Sequence, residues 1–249
     1  MVRKNDVQRT GAAPAVKMPS TFAQYKTLLK KDLQQEFRTR ELTTSMGIYA
    51  LLVLIVYGAA VAQASSELDV FQLAGGLFWA LVVFTSLLGL NRSFSHDKEA
   101  GCLEGILLVP LDRSVVFLAK ATSNLLFLLA VELIAVPLFG FFFLTNVTLG
   151  PDAVLALPVL LAGSVGIAGV GTLLSTITVN TRGKDVMLAV LFIPLIFPLL
   201  YACVSATTAV LVGVEGCLDT FTVSMAMAVG YDIVMVLLGW VLYDFVISA

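Results

Sequence analysis

Six long apolar stretches follow one another between residue 45 and residue 246 of the chain. A helix needs about 20 apolar residues to cross a hydrocarbon core that is roughly 30 Å thick. The third stretch is longer than a span requires, and we expect it to tilt or to kink at Pro137, since proline interrupts helical hydrogen bonds. We predict spans at about residues 45–64, 70–90, 115–144, 153–178, 186–212 and 221–246.

The segment before the first span, residues 21–41, has a different pattern. Its apolar side chains recur every three or four positions and its basic side chains fall largely on the other faces, which is typical of an amphipathic helix. Because anionic lipid attracts basic residues, we predict a helix that lies on the cytoplasmic leaflet. A short soluble helix is the alternative. The apolar positions are Phe22, Tyr25, Leu29, Leu33 and Phe37.

Composition favours a membrane protein. Hydrophobic residues make up 59% of the 249 residues and charged residues 13%. Soluble domains have about 25% charged residues, so lipid must solvate much of this surface. Backbone polar groups in lipid need hydrogen-bond partners within the protein, which helices and closed β-barrels provide. Long apolar runs are typical of membrane helices, whereas barrel strands alternate apolar and polar residues. The predicted fold is an all-α polytopic domain over residues 45–246.

The basic residues are confined to alternate segments of the chain. Nine precede the first span, four lie near the connection between the second and third spans, and two lie between the fourth and fifth. Acidic residues occupy the intervening loops. Positive residues favour the cytoplasmic side, so we predict six spans with both termini cytoplasmic. The basic residues are Arg3, Lys4, Arg9, Lys17, Lys26, Lys30, Lys31, Arg38, Arg40, Arg92, Lys98, Arg113, Lys120, Arg182 and Lys184.

The first 20 residues are polar and basic and contain two prolines. They lack the apolar core of a secretory signal, so we expect a disordered cytoplasmic arm over residues 1–20. A transit peptide is the alternative interpretation.

Glycines cluster in the fourth predicted span, at Gly163, Gly166, Gly169 and Gly171. Small residues let another helix approach the backbone closely. We therefore expect this span to be buried in the bundle with Gly163, Gly166 and Gly169 at helix contacts. A glycine face that lines a substrate path is the alternative.

The segment at residues 91–114 joins the second and third spans and is too short for a catalytic domain. Its apolar residues between Leu103 and Val109 are spaced as one side of a short helix. Gly101 permits a turn before that helix, and Pro110 ends it. We predict a short cytoplasmic helix that sits in a groove on a soluble partner and transmits a push to the spans.

This segment resembles the E-x-G-(T/C)-L-E-x-x-L-x-x-P loop of ABC-2-type permeases. The chain is more closely similar to the CcmB family of haem exporters, which belongs to the cytochrome c maturation system. That similarity covers most of the chain and includes residues 28–41, 87–94, 101–114 and 124–139. The loop motif consists of Glu99, Gly101, Cys102, Leu103, Glu104 and Pro110.

The resemblance implies a function and a set of partners. The loop would contact a separate ATPase subunit, CcmA, and the chain would be the permease subunit of an ABC transporter in a bacterial inner membrane. CcmC, CcmD and the haem chaperone CcmE would complete a complex that uses ATP to release the haem-loaded chaperone. Because one bundle does not enclose a path alone, we also expect a second permease copy or another membrane partner.

The residues predict no catalytic, metal or cofactor site in this chain, which we therefore interpret as a non-enzyme. It lacks a GxxxxGK(S/T) loop, so we expect ATP and Mg²⁺ on the partner ATPase. Haem iron takes His, Met, Cys or Tyr as its ligand, but the single histidine, His96, lies in the loop. The methionines of the sixth span are interpreted as packing, as are Cys203 and Cys217, for which pairing is the alternative.

Two acidic residues, Glu132 and Asp232, lie within predicted spans. A charged carboxylate at the bilayer centre costs about 2.5–3.5 kcal/mol on insertion scales, so each is expected to face other helices or water. One interpretation is a conformational latch, a proton-sensitive element or a contact with a partner subunit. The other is an interhelical hydrogen bond that fixes packing.

Three functional hypotheses remain open from the sequence. The first is the permease of cytochrome c maturation, or of another ABC-2-type exporter. The second is a scaffold that holds haem-handling subunits without using energy. The third is an intramembrane enzyme, with Glu132 and Asp232 as the available acids. Co-purification with an ATPase distinguishes the first hypothesis from the others.

Overall fold

Seven helices make up the part of the chain that the computed structural model describes, which is residues 20–63, 70–99, 112–143, 154–178, 181, 183–212 and 217–248. No strand occurs in these residues. The helices are α1 (Thr21–Thr39), α2 (Glu41–Ala62), α3 (Val70–Glu99), α4 (Arg113–Phe143), α5 (Ala156–Thr178), α6 (Lys184–Val212) and α7 (Cys217–Ser248).

Helices α2 to α7 are each long and apolar enough to cross a membrane, which confirms for the described residues an all-helical fold with six candidate spans. The span-length segments are Glu41–Ala62, Gln72–Ser93, Arg113–Phe143, Ala156–Thr178, Lys184–Leu211 and Leu218–Tyr243.

Several helices extend beyond the apolar stretches that predicted them. Helix α2 begins four residues before the predicted start at residue 45, and α3 continues to Glu99, nine residues past the predicted end at residue 90. Apolar length defines the part of a helix that lipid can surround, whereas backbone hydrogen bonding continues into polar sequence. Helix α4 continues through Pro137 without a break in its helical structure.

A sharp turn separates α1 from α2. Arg40 has a left-handed backbone conformation with φ 53°, and its N–H donates to the Glu36 carbonyl oxygen at 2.6 Å. The Glu36 carboxylate accepts a hydrogen bond from the Thr43 N–H at 2.7 Å, which ties the end of α1 to the start of α2. The amphipathic segment therefore ends at Thr39, and Glu41 belongs to the first span rather than to the segment predicted at 21–41.

Helix α5 is the most enclosed helix of the described bundle. Nearly all of its side chains from Val159 to Thr178 are buried, whereas α2 and α7 leave most of their surface outside the bundle. The described bundle therefore has a glycine-rich helix at its centre, and the remaining spans pack around it.

Contacts between helix ends define two ends of the bundle. At one end, which we call the loop end, the C-terminal part of α3 lies beside the start of α2, and the start of α4 lies beside the ends of α5 and α7. At the other end, the far end, Trp79 of α3 donates a hydrogen bond to Thr207 near the end of α6, at 2.9 Å.

Candidate functional site

The segment predicted to contact an ATPase begins and ends at the loop end. Glu99 is the last residue of α3, and Arg113 is the first residue of α4. The other motif residues lie outside the described residues. These are Gly101, Cys102, Leu103, Glu104 and Pro110.

The C-terminal part of α3 is fixed to α2 by Arg92. Its guanidinium group forms an ion pair with the Glu41 carboxylate and donates to the Ser45 hydroxyl oxygen at 2.5 Å. Glu41 and Ser45 lie on one face of the first turns of α2, since they are four residues apart. Arg92 therefore connects α3 to the start of α2 about two turns before α3 ends at Glu99.

The start of α4 is fixed by α1. The Asp112 N–H, at the end of the loop, donates to the Gln24 side-chain oxygen at 3.2 Å. One turn further along both helices, Leu28 packs against the apolar cluster that contains Val116 and Phe117. The two helices thus run side by side in the same direction over the first turns of α4.

A buried ion pair continues the contact between α1 and α4. The Lys120 Nζ lies 3.0 Å from Asp32 Oδ2, which also accepts a hydrogen bond from the Ser123 hydroxyl at 3.2 Å. The Lys31 Nζ lies 3.1 Å from Asp32 Oδ1. Asp32 is 8% exposed and Lys120 is 6% exposed. Buried charges of this kind depend on their partners, because removal of one leaves the other desolvated.

The outward surface of α1 is apolar and basic. Phe22 and Phe37 are 74% and 75% exposed, and the Lys26 and Lys30 side chains are also exposed. The face that packs on α4 is instead the one that carries Gln24 and Asp32. The apolar stripe predicted from the sequence is therefore divided, because the Tyr25 hydroxyl donates to Thr122 of α4 and Leu33 packs against the main apolar cluster while Phe22 and Phe37 are exposed.

These contacts join the two ends of residues 100–111 to one structure, which we call the loop frame. It consists of α1, the first turn of α2, the C-terminal part of α3 and the first three turns of α4. Glu99 and Asp112, the described residues on either side of the loop, therefore belong to one connected set of helix contacts.

Glu132 is buried between α4 and α5 and is 2% exposed. The Ser164 hydroxyl of α5 lies 2.8 and 2.9 Å from its two carboxyl oxygens. Ser164 is thus its hydrogen-bond partner among the described residues, and no cation pairs with it there. The contact joins α4 to the central helix at about the middle of both.

Asp232 is buried on the other side of α5 and is 7% exposed. Its Oδ1 has no hydrogen-bond partner among the described residues. A Cβ atom added at Gly166 would meet this oxygen and the Leu199 side chain. Gly166 and Ser164 are two residues apart, so the two membrane carboxyl groups lie at a similar depth on different faces of α5.

The predicted glycines lie where other helices approach α5. A Cβ at Gly163 would overlap the Trp79 ring, and one at Gly169 would be 3.2 Å from the Val236 side chain. A Cβ at Gly171 would overlap Leu90. The absence of side chains at these positions therefore lets α3 and α7 pack directly against the α5 backbone.

A second polar contact joins α4 and α5 nearer the loop end. The Asn124 amide donates to the Thr172 hydroxyl oxygen at 2.9 Å. A small, mostly apolar cavity lies among α2, α3, α4 and α5 near this pair, and Ser86 and Asn124 are its polar lining residues.

Sequence reasoning singled out Glu132, Asp232 and the glycines but missed their partners and the loop frame. The signal for the Asp32–Lys120 pair was present, because Lys120 falls within the third predicted span and a buried lysine needs a carboxylate. No such signal marked Ser164, since one serine in an apolar helix is ordinary.

Comparison with known proteins gives a consistent result. The family model described as CcmB protein matches residues 23–243. Heme exporter protein B of Bradyrhizobium diazoefficiens is 29% identical over 189 residues, which cover 75% of this chain and 82% of that protein. Heme exporter protein B of Pseudomonas aeruginosa is 26% identical over 189 residues, covering 76% and 82%. The protein of the same name from Haemophilus influenzae is 24% identical over 173 residues, covering 70% and 76%.

Proposed function

The chain belongs to the CcmB protein family, and from this membership we propose that this multi-pass membrane protein is the permease subunit of a haem-export complex that serves cytochrome c maturation in a bacterial inner membrane. The carrying observation is the extent of the family match, which begins in α1 and ends in α7. Two relatives named heme exporter protein B, each covered over 82% of its length, support the haem-related role.

ATP hydrolysis takes place on a separate subunit, CcmA, in this proposal. That subunit binds the loop at residues 91–114, and Glu99, Gly101, Cys102, Leu103, Glu104 and Pro110 form the docking segment. The loop frame supports this role because the buried Gln24 and Asp32 hold the α4 end of the loop to α1, and the exposed Arg92–Glu41 pair joins the α3 end to α2. A push on a segment held in this way is transmitted to α3 and α4 rather than absorbed by loose chain.

The orientation follows from charge. The loop end faces the cytoplasm, because the basic residues concentrate there and positive residues are retained on that side. Helix α1 lies along the cytoplasmic leaflet with Phe22 and Phe37 toward lipid and Lys26 and Lys30 toward anionic headgroups. CcmC, CcmD and the haem chaperone CcmE contact the bundle, with a second permease copy completing the complex, and ATP use releases the haem-loaded chaperone.

The docking segment is tested by Glu104→Arg and Gly101→Pro in a strain that lacks its own copy of this gene. We expect both variants to insert into the membrane at normal levels. In both strains we expect most c-type cytochrome to be lost while the ATPase subunit still hydrolyses ATP, so that hydrolysis is uncoupled from cytochrome production. Asp219→Arg is the matched control, since it makes the same charge change at an exposed far-end position and is expected to leave cytochrome levels unchanged.

Full c-type cytochrome levels in the Glu104→Arg and Gly101→Pro strains would contradict the coupling role. If the purified complex contained no ATPase at all, the scaffold hypothesis would replace the permease hypothesis. If an ATPase co-purified and cytochrome levels did not depend on this chain, another ABC-2-type exporter would be the better assignment.

A further inference from the structure

The first turns of α4, just after the docking segment, carry an aromatic ring that packs onto the backbone of α7. The Phe117 ring is 0% exposed and lies against Gly239. A Cβ atom added at Gly239 would lie 2.4, 3.0 and 3.1 Å from three atoms of this ring. Because protein interiors are close-packed, there is no room for such an atom unless the ring moves. Glycine at position 239 therefore lets the start of α4 contact α7 directly.

Side chains of three helices enclose the ring. One turn beyond Gly239, Tyr243 of α7 is 1% exposed, and its ring centroid lies 5.4 Å from the Phe117 centroid. Leu173 of α5 belongs to the same apolar cluster, and Leu28 of α1 packs against that cluster. We call the enclosure formed by Gly239, Tyr243, Leu173 and Leu28 the Phe117 socket. A ring held in this way resists displacement, because even a small gap forfeits much of its dispersion attraction.

Hydrogen bonds hold the residues between the docking segment and this ring. The Ser114 hydroxyl donates to the Trp240 carbonyl oxygen of α7 at 3.4 Å. The Asp112 N–H donates to the buried Gln24 side chain of α1 at 3.2 Å. The chain that leaves the docking segment is therefore attached to both α1 and α7 before it reaches Phe117.

The α3 end of the docking segment is held differently. Helix α3 continues to Glu99, well past Leu90, which is the last of its described side chains that is buried. Beyond Leu90, the Arg92–Glu41 ion pair joins α3 to α2, and its two side chains are 49% and 59% exposed. Exposed ion pairs hold helices together weakly, because water competes for both charges and salt screens them. The two ends of the docking segment therefore differ in how firmly they are held.

We propose that the Phe117 socket is the stationary anchor of the docking segment, with Phe117 and Gly239 as its positioning residues. This role rests on the proposed function, in which the docking segment binds an ATPase subunit. The α4 end of the segment keeps its place against α7 through the ATPase cycle, whereas the α3 end moves against α2. Phe117 determines where the segment is presented to the partner, and Gly239 acts through the ring that it admits.

Hydrogen exchange of the purified chain in lipid nanodiscs tests the socket without any partner. Gly239→Ala pushes a methyl group against the ring, and we expect amide exchange over residues 113–121 to become about tenfold faster. Gly230→Ala is the matched control in the same helix, since no atom lies within 4 Å of its added Cβ, and it should not change this exchange. Phe117→Leu combined with Gly239→Ala makes room for the methyl group and should slow the exchange again. Equal rates in Gly239→Ala and Gly230→Ala would overturn the socket.

Distances between spin labels in the complex purified with its ATPase test the anchor. Labels on non-natural amino acids at positions 118 and 241 report the separation of α4 from α7, and labels at positions 44 and 93 report that of α3 from α2. We expect a non-hydrolysable ATP analogue to shift the 44–93 distance and to leave the 118–241 distance unchanged. In Gly239→Ala, in which the ring is displaced, the analogue should shift both distances.

A nucleotide-dependent shift of the 118–241 distance in the wild-type complex, or a constant 44–93 distance, would contradict the anchor. A constant 118–241 distance in Gly239→Ala would contradict the positioning role of Gly239. Absence of an ATPase from the purified complex would contradict the proposed function instead, and the exchange rates of the chain alone would still report whether the socket holds the start of α4.

Discussion

The two ends of the bundle are held together by different kinds of interaction. At the loop end, charged and hydrogen-bonded contacts, as in Asp32–Lys120, Arg92–Glu41 and Asn124–Thr172, accompany a small apolar cluster around Phe117. At the far end they are largely aromatic. The Phe78 ring meets Trp79 and Phe139 edge to face at 5.8 and 5.3 Å, and Phe139 stacks on Phe143 at 4.4 Å.

This difference indicates which end can move. The exposed Arg92–Glu41 pair can break and form again, because water replaces a lost partner at small net cost, whereas the buried Asp32–Lys120 pair depends on both partners. Close aromatic and glycine packing has no such substitute, since a displaced ring leaves a void. We therefore expect the far end to remain fixed while the C-terminal part of α3 shifts against the start of α2 in response to a partner.

The largest expected effect comes from removing one charge of the buried pair. Asp32→Ala leaves the Lys120 ammonium group buried without this carboxylate, and we expect a loss of about 3–5 kcal/mol in the free energy of unfolding. The measurement is unfolding of the purified protein in lipid bicelles. The double variant Asp32→Asn with Lys120→Met removes both charges and should recover most of the stability while c-type cytochrome formation stays impaired. Recovery of both the free energy of unfolding and c-type cytochrome formation in the double variant would show that the Asp32–Lys120 pair serves stability alone.

A smaller effect is expected from adding one methyl group where helices meet. Gly163→Ala places a Cβ against the Trp79 ring, and overpacking of this kind costs about 1–3 kcal/mol. Gly140→Ala is the matched control, because no atom lies within 4 Å of its added Cβ. The same unfolding assay compares the two. If Gly163→Ala and Gly140→Ala had the same free energy of unfolding, the close approach of α3 to α5 would not contribute to the stability of the far end.

The smallest effect is expected from an aromatic substitution at the far end. Phe139→Leu keeps an apolar side chain but loses its ring contacts, which are worth about 0.5–1.5 kcal/mol beyond buried area. We expect a slightly lower free energy of unfolding and normal c-type cytochrome levels. A strong loss of cytochrome with unchanged stability would mean that the far end takes part in the cycle, and the comparison of the two ends would then be wrong.

The sequence predicted the parts of the fold that depend on local pattern. The six spans follow from apolar length, and the central position of α5 was expected from its glycines. The loop frame was not predicted, because Asp32 and Lys120 are far apart in sequence and their contact is tertiary. The same holds for Ser164, whose importance comes from its position opposite Glu132. Helix ends were also missed, as in α3, since polar sequence does not by itself end a helix.

The central claim is that the segment after α3 binds an ATP-hydrolysing partner on the cytoplasmic side. Photocross-linking from position 104 in native membranes tests it most directly, with position 219 at the far end as the control. The account predicts a cross-link between position 104 and the ATPase subunit, and none from position 219. A cross-link from position 219 to the ATPase, or labelling of position 104 by a membrane-impermeant reagent added to intact cells, would contradict it.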